Sequence, residues 1–171
     1  MNLTDKDFEE IYKDSTHEAL IEELQNHVEF DRLSDNTWKY IKKNYLKHFD
    51  VLYRIINKRD DYTWDDNIFN KEVGDIIEFD RVSASKEDLS NNENIVVFTD
   101  GTDHLARIII KNATGFDIDE FHDEIYNDDY LEESFGWQKE VLITGKYVLL
   151  DKRTLAEDRV KEEFILEGVL G

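Results

Sequence analysis

The stretch Trp137–Ile143 (WQKEVLI) joins a polar segment to an apolar run that continues to Leu150. The run is rich in Val, Ile, Leu and Tyr, a composition that favours a buried β-strand. Side chains alternate along a strand, so Gln138 and Glu140 are expected to point to the same face where the strand opens. The pair Thr144-Gly145 is expected to break the run into two paired strands.

Shorter apolar runs of similar composition surround this one and predict further strands. They cover Val51–Ile56, Asp75–Phe79, Asn94–Thr99, Leu105–Ile110 and Glu163–Leu170. The pair Asp100-Gly101 predicts a hairpin turn between two of them. The acidic segment Phe116–Tyr130 is expected to be partly helical.

The first 49 residues predict helices. Phe8, Ile11 and Tyr12 follow helical spacing, and Ser15 with Glu18 forms a capping-box pattern ahead of Leu20, Ile21, Leu24 and Val28. The segment Ser34–Thr37 offers N-cap candidates for a third helix. We therefore expect one α+β domain over residues 1–171, helical over 1–49 and β-rich over 50–171.

The formal net charge is −20, from 41 acidic and 21 basic residues. Such a surface disfavours direct nucleic-acid binding and attracts basic partners. Two interpretations stay open at this point: the charge serves solubility alone, or it mimics nucleic acid in an inhibitor.

The chain contains no cysteine, which excludes disulfides and thiolate metal sites, and no proline. The absence of proline and the many Asn, Lys, Ile and Asp residues suggest an AT-rich coding source. The first residues lack the apolar core of a secretory signal, and no run has membrane-spanning length. The expectation is a cytoplasmic protein without a membrane partner.

Two more segments carry polar residues on or just after predicted strands. One is Val51–Arg54 (VLYR), and the other is Gly74–Ser85, which ends in Ser83-Ala84-Ser85. Taken singly, a strand Arg is more typical of a rim residue, Ser-Ala-Ser of a turn or helix cap, and a Glu at a strand start of a solvated side chain.

Taken together, the three segments resemble the Arg-Ser-Glu class of mono-ADP-ribosyltransferases, which includes bacterial exotoxins and phage enzymes. In that family an Arg lies on the first core strand, a Ser-Thr-Ser motif on a second, and a Gln/Glu-x-Glu motif opens a later one. Two departures are Ile55, where the family usually has Gly, and Ala84 in place of the middle Thr. The resemblance implies two small antiparallel-rich sheets that form an NAD cleft, with helices at the N-terminus.

The resemblance also implies roles. Glu140 would stabilise the oxocarbenium-like state formed when NAD is cleaved. Arg54 would bind the pyrophosphate through its forked donors. Ser83 would hold the ribose or orient Glu140, and Ser85 would join the same network.

Gln138 would face the acceptor, where an amide favours asparagine over arginine. The Asn127–Trp137 loop, with Tyr130, Phe135 and Trp137, resembles the family's target-recognition loop, although inward-packed aromatics are an equal alternative. No metal is expected, because His104, Glu120, His122 and Asp123 match no zinc spacing and Asp117–Glu133 lacks the register of a calcium loop.

The predicted function is transfer of ADP-ribose from NAD to a target protein with a basic surface. The enzyme would be a phage or bacterial effector or toxin that disables a host or defence protein, an anti-defence role in the host cell cytoplasm. The alternative is a non-enzymatic acidic inhibitor of a nucleic-acid-binding protein.

Overall fold

The computed structural model describes residues 16–57, 66–92, 105–157 and 160–169. Several sequence predictions lie outside these residues: the first helix with Phe8, Ile11 and Tyr12, the Ser15 half of the capping box, the strand Asn94–Thr99, the Asp100-Gly101 turn and His104.

The described chain begins with helices and continues with strands and short helices. This composition confirms the predicted α+β fold class. The helices are α1 (Thr16–Phe30), α2 (Asp35–Asn44), α3 (Asp66–Phe69), α4 (His122–Ile125) and α5 (Asp129–Phe135). The strands are β1 (Lys47–Asn57), β2 (Ile76–Ser85), β3 (Leu105–Asp117), β4 (Glu140–Thr154) and β5 (Val160–Gly168). Short 3-10 helices cover Leu89–Asn91, Ile118–Phe121 and Gly136–Gln138.

The five strands form one hydrogen-bonded sheet in the order β1-β2-β4-β3-β5, with additional pairings of β1 with β3 and of β4 with β5. β1 and β2 are antiparallel, as are β4 and β5, whereas β3 and β5 are parallel. One connected sheet therefore stands where two separate small sheets were expected. β4 has 15 residues and is long enough to pair with β5 over its second half. This pairing helps to join the strands in one sheet.

The predicted break of β4 at Thr144-Gly145 is wrong. β4 is continuous from Glu140 to Thr154, and Gly145 lies inside it with φ of +110°, a conformation that glycine adopts without a Cβ clash. The hydroxyl of Tyr147 donates to the Thr144 carbonyl at 2.8 Å, which fixes the backbone at this point. The second half of β4 pairs with β5 instead, from Tyr147 opposite Gly168 to Thr154 opposite Glu162.

Contacts divide the chain into two compact units, which are described separately. The helical unit comprises Met1–Lys47 and Phe116–Val141, and the β unit comprises His48–Gly115 and Leu142–Gly171. In the helical unit the buried side chains include Leu20, Leu24, Trp38, Ile41, Phe116, Ile118 and Ile125. In the β unit they include Leu52, Phe79, Ile108, Ile110, Leu149, Phe164 and Leu166.

Local capping sets the ends of the helices in the helical unit. Ser34 caps α2 as predicted, since its hydroxyl accepts from the Thr37 backbone N–H at 3.2 Å. The acidic segment after β3 is partly helical as predicted, with a 3-10 turn followed by α4 and the start of α5. No helix in the described part of the chain is long and apolar enough to cross a membrane.

Candidate active site

In the β unit, Arg54 lies on β1 and is held against the neighbouring strand β2. The two strands are antiparallel, with Tyr53 opposite Ser85. The Arg54 guanidinium donates from Nη1 to the carbonyl oxygen of Ser83 at 2.7 Å. Because that partner is a neutral backbone group, the contact orients the guanidinium without neutralising its charge. Arg54 is partly buried on this strand.

The serine motif lies at the end of β2, on a strand as the resemblance implies. Ser83 is partly buried, and its carbonyl accepts from Arg54. Ser85 is 5% exposed, and its hydroxyl accepts from the backbone N–H of Glu87 at 3.1 Å. The structural role considered for the motif, a turn after the strand, is therefore present at Ser85. Ser83 is the member next to the guanidinium.

In the helical unit, Glu140 is the first residue of β4 and only 7% exposed. Its Oε2 lies 3.1 Å from Nε2 of His27, an 8%-exposed imidazole on α1. The two residues are 113 positions apart in the chain. A Glu at the start of a strand is usually solvated. Glu140 is instead buried and has a histidine partner.

A phenol shares the interior around this carboxylate. Tyr126 is 7% exposed, and its pKa is raised first by burial and then by the negative charge of Glu140. Asp119 and Glu132 add smaller contributions in the same direction. Because charge interactions of this kind strengthen where water is excluded, the charge of Glu140 is felt by its buried neighbours.

Gln138 does not lie on the strand, contrary to the sequence prediction. It is the last residue of the 3-10 helix Gly136–Gln138, and Lys139 follows in the left-handed region with φ of +49°. The alternation of side chains begins only at Glu140, so it does not fix Gln138 and Glu140 on one face. Gln138 itself is partly buried.

The segment expected to be a target-recognition loop is mostly helical. Asp128 caps α5 by accepting from the Leu131 backbone N–H at 2.8 Å. Tyr130 is 61% exposed and packs edge-on against Phe135, with ring centroids 6.2 Å apart. Trp137 is partly buried and donates its indole N–H to the Ser134 carbonyl at 2.9 Å. Of the three aromatics, Tyr130 presents the most surface to solvent.

The predicted site residues therefore fall into two groups. Arg54, Ser83 and Ser85 belong to the β unit, and Gln138, Glu140 and the three aromatics belong to the helical unit. Sequence reasoning missed His27 and Tyr126. The signal for His27 was its spacing, because it follows Leu20 and Leu24 on the apolar face of α1.

Two of the residues considered for a metal, Glu120 and His122, contact other charged side chains. His122 contacts Asp119 through Nδ1 and Glu132 through Nε2, each at 2.7 Å, and Glu120 pairs with Lys47. Within the described ranges, no group of three or more His, Cys, Asp or Glu side chains is arranged to hold a metal ion.

A cavity of about 590 Å³ lies in the β unit near the middle of β4. Its described walls include His48, Asn112, Thr144, Lys146, Tyr147 and Glu167, and the predicted site residues are not among them. This cavity is therefore a separate feature from the Arg54–Ser83 contact.

Comparison with known proteins reveals similarity in fold. No protein-family model matches the chain, and no curated protein matches it. The structure is similar to the type III effector XopAI from Xanthomonas axonopodis pv. citri, with a TM-score of 0.54 and 11% identity over 94% of this chain. The chain spans 66% of the length of that XopAI structure.

Bacterial ADP-ribosyltransferases are also among the structural neighbours. HopU1 of Pseudomonas syringae pv. Tomato DC3000 is 19% identical with a TM-score of 0.38, over 72% of this chain and 47% of that one. C3larvin toxin from Paenibacillus larvae is 12% identical with a TM-score of 0.43, over 95% of this chain and 91% of that one. The class that the sequence motifs resemble is therefore represented among the structural neighbours. At these identities the likeness concerns the fold and does not extend to activity.

Proposed function

We propose that the protein is a mono-ADP-ribosyltransferase that cleaves NAD and transfers ADP-ribose to a protein side chain. One observation carries the proposal: the Arg, Ser and Glu residues of the three motifs lie on three strands in the order typical of that class. Arg54 is on β1, Ser83–Ser85 ends β2, and Glu140 opens β4.

The chemistry assigned to Glu140 follows from its burial and its charge. The bond between the ribose C1 and the nicotinamide nitrogen breaks, and its electron pair leaves with nicotinamide. The acceptor side chain then attacks C1 and releases a proton. The positive charge that develops on the ribose is stabilised by a fixed carboxylate, which acts more strongly in a poorly hydrated site than in water. Glu140, at 7% exposure, offers such a group.

Arg54 is assigned to the pyrophosphate of NAD. Its Nη1 is anchored on the Ser83 carbonyl, so the guanidinium plane is oriented by the strand before any ligand binds. A planar fork of N–H donors suits phosphate oxygens, and preorganisation reduces the entropy lost on binding. Ser83 is assigned to the ribose and Ser85 to its support.

The acceptor is proposed to be asparagine rather than arginine. The amide of Gln138 can donate to and accept from another amide at the same time, whereas an arginine acceptor would be met better by a carboxylate. The 3-10 turn places Gln138 two residues before the buried Glu140. The assignment of asparagine as the acceptor therefore depends on the amide chemistry of Gln138 and not on a strand face shared with Glu140.

The target is proposed to be a protein with a basic surface. Helix α5 carries Asp129 and Glu132 in its first turn, and the exposed Tyr130 lies between them. An aromatic ring bordered by carboxylates suits a partner with a cationic contact surface. We assign α5 and Trp137 to recognition of that partner. The net charge of −20 also attracts a basic partner over longer distances.

The biological role is proposed to be that of an effector. XopAI, which shares the fold, is described as a type III effector. The proline-free composition suits an AT-rich phage or mobile element. We propose that the protein acts in the host cell cytoplasm, where it inactivates a host or defence protein.

Labelling separates this function from the acidic-inhibitor alternative, which the charge of −20 favours. The protein is incubated with a bacterial lysate and NAD labelled on the adenylate. A labelled protein band that is absent with Glu140→Gln supports the transferase. Tight capture of a nucleic-acid-binding protein with no label and no release of nicotinamide supports the inhibitor and overturns the transferase.

A further inference from the structure

The contact between His27 and Glu140 joins two buried groups from distant parts of the chain. Both side chains are 8% exposed, and Nε2 lies 3.1 Å from Oε2. An ionised carboxylate only accepts hydrogen bonds, so with Glu140 ionised it is Nε2 of His27 that donates in this contact. Both the imidazolium and the neutral tautomer with hydrogen on Nε2 meet that requirement.

We infer that His27 is a positioning residue that holds the Glu140 carboxylate in its reactive orientation and keeps it ionised. This inference rests on the proposed function for its catalytic meaning. A single 3.1 Å contact from a helix fixes one carboxylate oxygen, and so sets the direction of the other. The charge of imidazolium would also favour the carboxylate over the carboxylic acid.

A buried carboxylate needs such a partner for a physical reason. Burial alone disfavours the charged form of a carboxyl group, and a neutral carboxylic acid could not stabilise an oxocarbenium-like state. Tyr126, which lies close enough to feel the charge of Glu140, is a neutral phenol and does not supply a positive charge. His27, in contact with Glu140 at 3.1 Å, is a side chain that can carry one.

The other titratable groups around the pair are mostly acidic. Asp31, at the end of α1, lies 3.7 Å from Nδ1 of His27 and is almost fully exposed. Asp119 and Glu132 act on Tyr126, and His122 packs against the Tyr126 ring at 4.8 Å between centroids. Asp31 favours the imidazolium form of His27 and so reinforces the proposed ion pair, whereas Asp119 and Glu132 act on Tyr126.

Two substitutions test the inference through NAD hydrolysis, which needs no target protein. His27→Leu removes the donor and is expected to lower kcat by about 10- to 100-fold, because a misplaced catalytic group loses that much. KM for NAD should stay within about twofold, since pyrophosphate binding is assigned elsewhere. His27→Gln keeps an N–H donor near the position of Nε2 and should retain most of the kcat at neutral pH.

The pH profile supplies a readout that a purely structural histidine would not change. In the wild-type protein the imidazolium keeps Glu140 ionised as the pH falls. In His27→Gln the donor is neutral, so kcat should begin to fall at a pH about one unit higher on the acid side. If His27→Leu does not fold, this shift in His27→Gln still decides the question.

A matched control lies on the same helix. His17 pairs with the Glu124 carboxylate, and both side chains are at least half exposed. His17→Leu and His17→Gln should leave kcat and the acid side of the pH profile at the wild-type values. A His27 series that behaves like this His17 series, in folded variants, would overturn the inference while leaving the proposed function intact.

An NMR titration separates the two proposals. The pairing predicts that His27 titrates at a higher pH in the wild-type protein than in Glu140→Gln, because the variant removes the negative partner. This arm uses no NAD. A wild-type protein that does not cleave NAD overturns the proposed function and the catalytic meaning of His27. An unchanged His27 titration overturns the pairing itself.

Discussion

The cation and the carboxylate proposed for the reaction are held in opposite ways. Arg54 is partly buried and is anchored by a backbone carbonyl 29 positions away on a neighbouring strand. Glu140 is almost fully buried and meets a histidine 113 positions away on a helix. The Arg54 contact is to a backbone carbonyl, which does not titrate, whereas the Glu140 contact is to a histidine, a titratable side chain.

The difference indicates a division of tasks. A ligand-binding cation benefits from a fixed orientation, which a carbonyl anchor provides. A carboxylate that stabilises charge in a transition state benefits from exclusion of water, which then requires a partner for the buried charge. We therefore expect substitutions at Glu140 to change the rate and substitutions at Arg54 to change the binding of NAD.

The largest effect is expected for Glu140→Gln, which keeps the shape and an acceptor for His27 but removes the charge. The kcat for NAD hydrolysis of the folded variant should fall by ~100- to 1,000-fold. The measurement is nicotinamide release together with urea denaturation.

Glu22→Gln is the matched control for this substitution, because Glu22 is an exposed glutamate on α1 in the same unit. It should hydrolyse NAD at the wild-type rate. A well-folded Glu140→Gln protein with more than a few per cent of the wild-type kcat would remove Glu140 from the proposed chemistry.

A smaller effect, confined to binding, is expected for Arg54→Ala. The dissociation constant for NAD should rise by about 10- to 100-fold, since hydrogen bonds to charged groups contribute about 1.5–3 kcal/mol. Arg54→Lys should recover only part of this affinity, because an ammonium does not reproduce the fork. Calorimetric titration with NAD measures both.

Unchanged NAD affinity in the two Arg54 variants would make Arg54 a structural residue of the β1–β2 pair. In that case the assignment of Arg54 to NAD binding would be wrong, and the proposed division of tasks with Glu140 would not hold. Lys111, an exposed cation on β3 in the same unit, is a suitable control, and Lys111→Ala should bind NAD as the wild-type protein does.

Strand composition located Arg54 on its strand, but the strand predicted ahead of the serine motif ended at Phe79, and only the family resemblance put Ser83–Ser85 on a strand. The pairing of β1 with β2 brings the two segments together. The sequence could not locate the partner of Glu140, since a contact between residues 27 and 140 depends on how α1 packs in the folded unit. A histidine on the apolar face of a helix was visible in the sequence. Its role was not.

Two local errors have different physical origins. The left-handed Lys139, which ends the 3-10 turn before β4, has no sequence signal because non-glycine residues seldom adopt positive φ. Helix α5 did have a signal, since Asp128 with Asp129 and Glu132 is typical of a capped helix N-terminus. The prediction of a loop relied instead on the aromatic residues of that segment.

Gln138 sharpens the comparison further, because it is expected to change neither NAD binding nor NAD hydrolysis. Gln138→Ala should lower transfer to protein by about tenfold relative to hydrolysis, the loss expected for hydrogen bonds worth 0.5–1.5 kcal/mol. Gln138→Glu should shift residual transfer towards arginine analogues. Mass spectrometry of the modified target identifies the acceptor, and ADP-ribose on arginine with the wild-type enzyme would contradict the asparagine assignment.

The smallest effect concerns Tyr126 and tests whether the interior around Glu140 is as sensitive to charge as the comparison requires. The pKa of Tyr126 is raised by burial and then by the charge of Glu140. The folded protein therefore binds this proton more tightly than the unfolded chain does. The resulting stability is fully present below the unfolded pKa of about 10 and is lost as the pH rises beyond it.

Tyr126→Phe removes this linkage. Between pH 8.5 and 10.5, the free energy of unfolding of the wild-type protein should fall by about 0.8 kcal/mol more than that of Tyr126→Phe. Urea denaturation at the two pH values measures the difference. Tyr130→Phe is the control, because the 61%-exposed Tyr130 lies in the same unit and should follow the wild-type pH dependence. Parallel losses in all three proteins would show that Tyr126 ionises freely in the folded state, and that the interior around Glu140 does not discriminate against added negative charge.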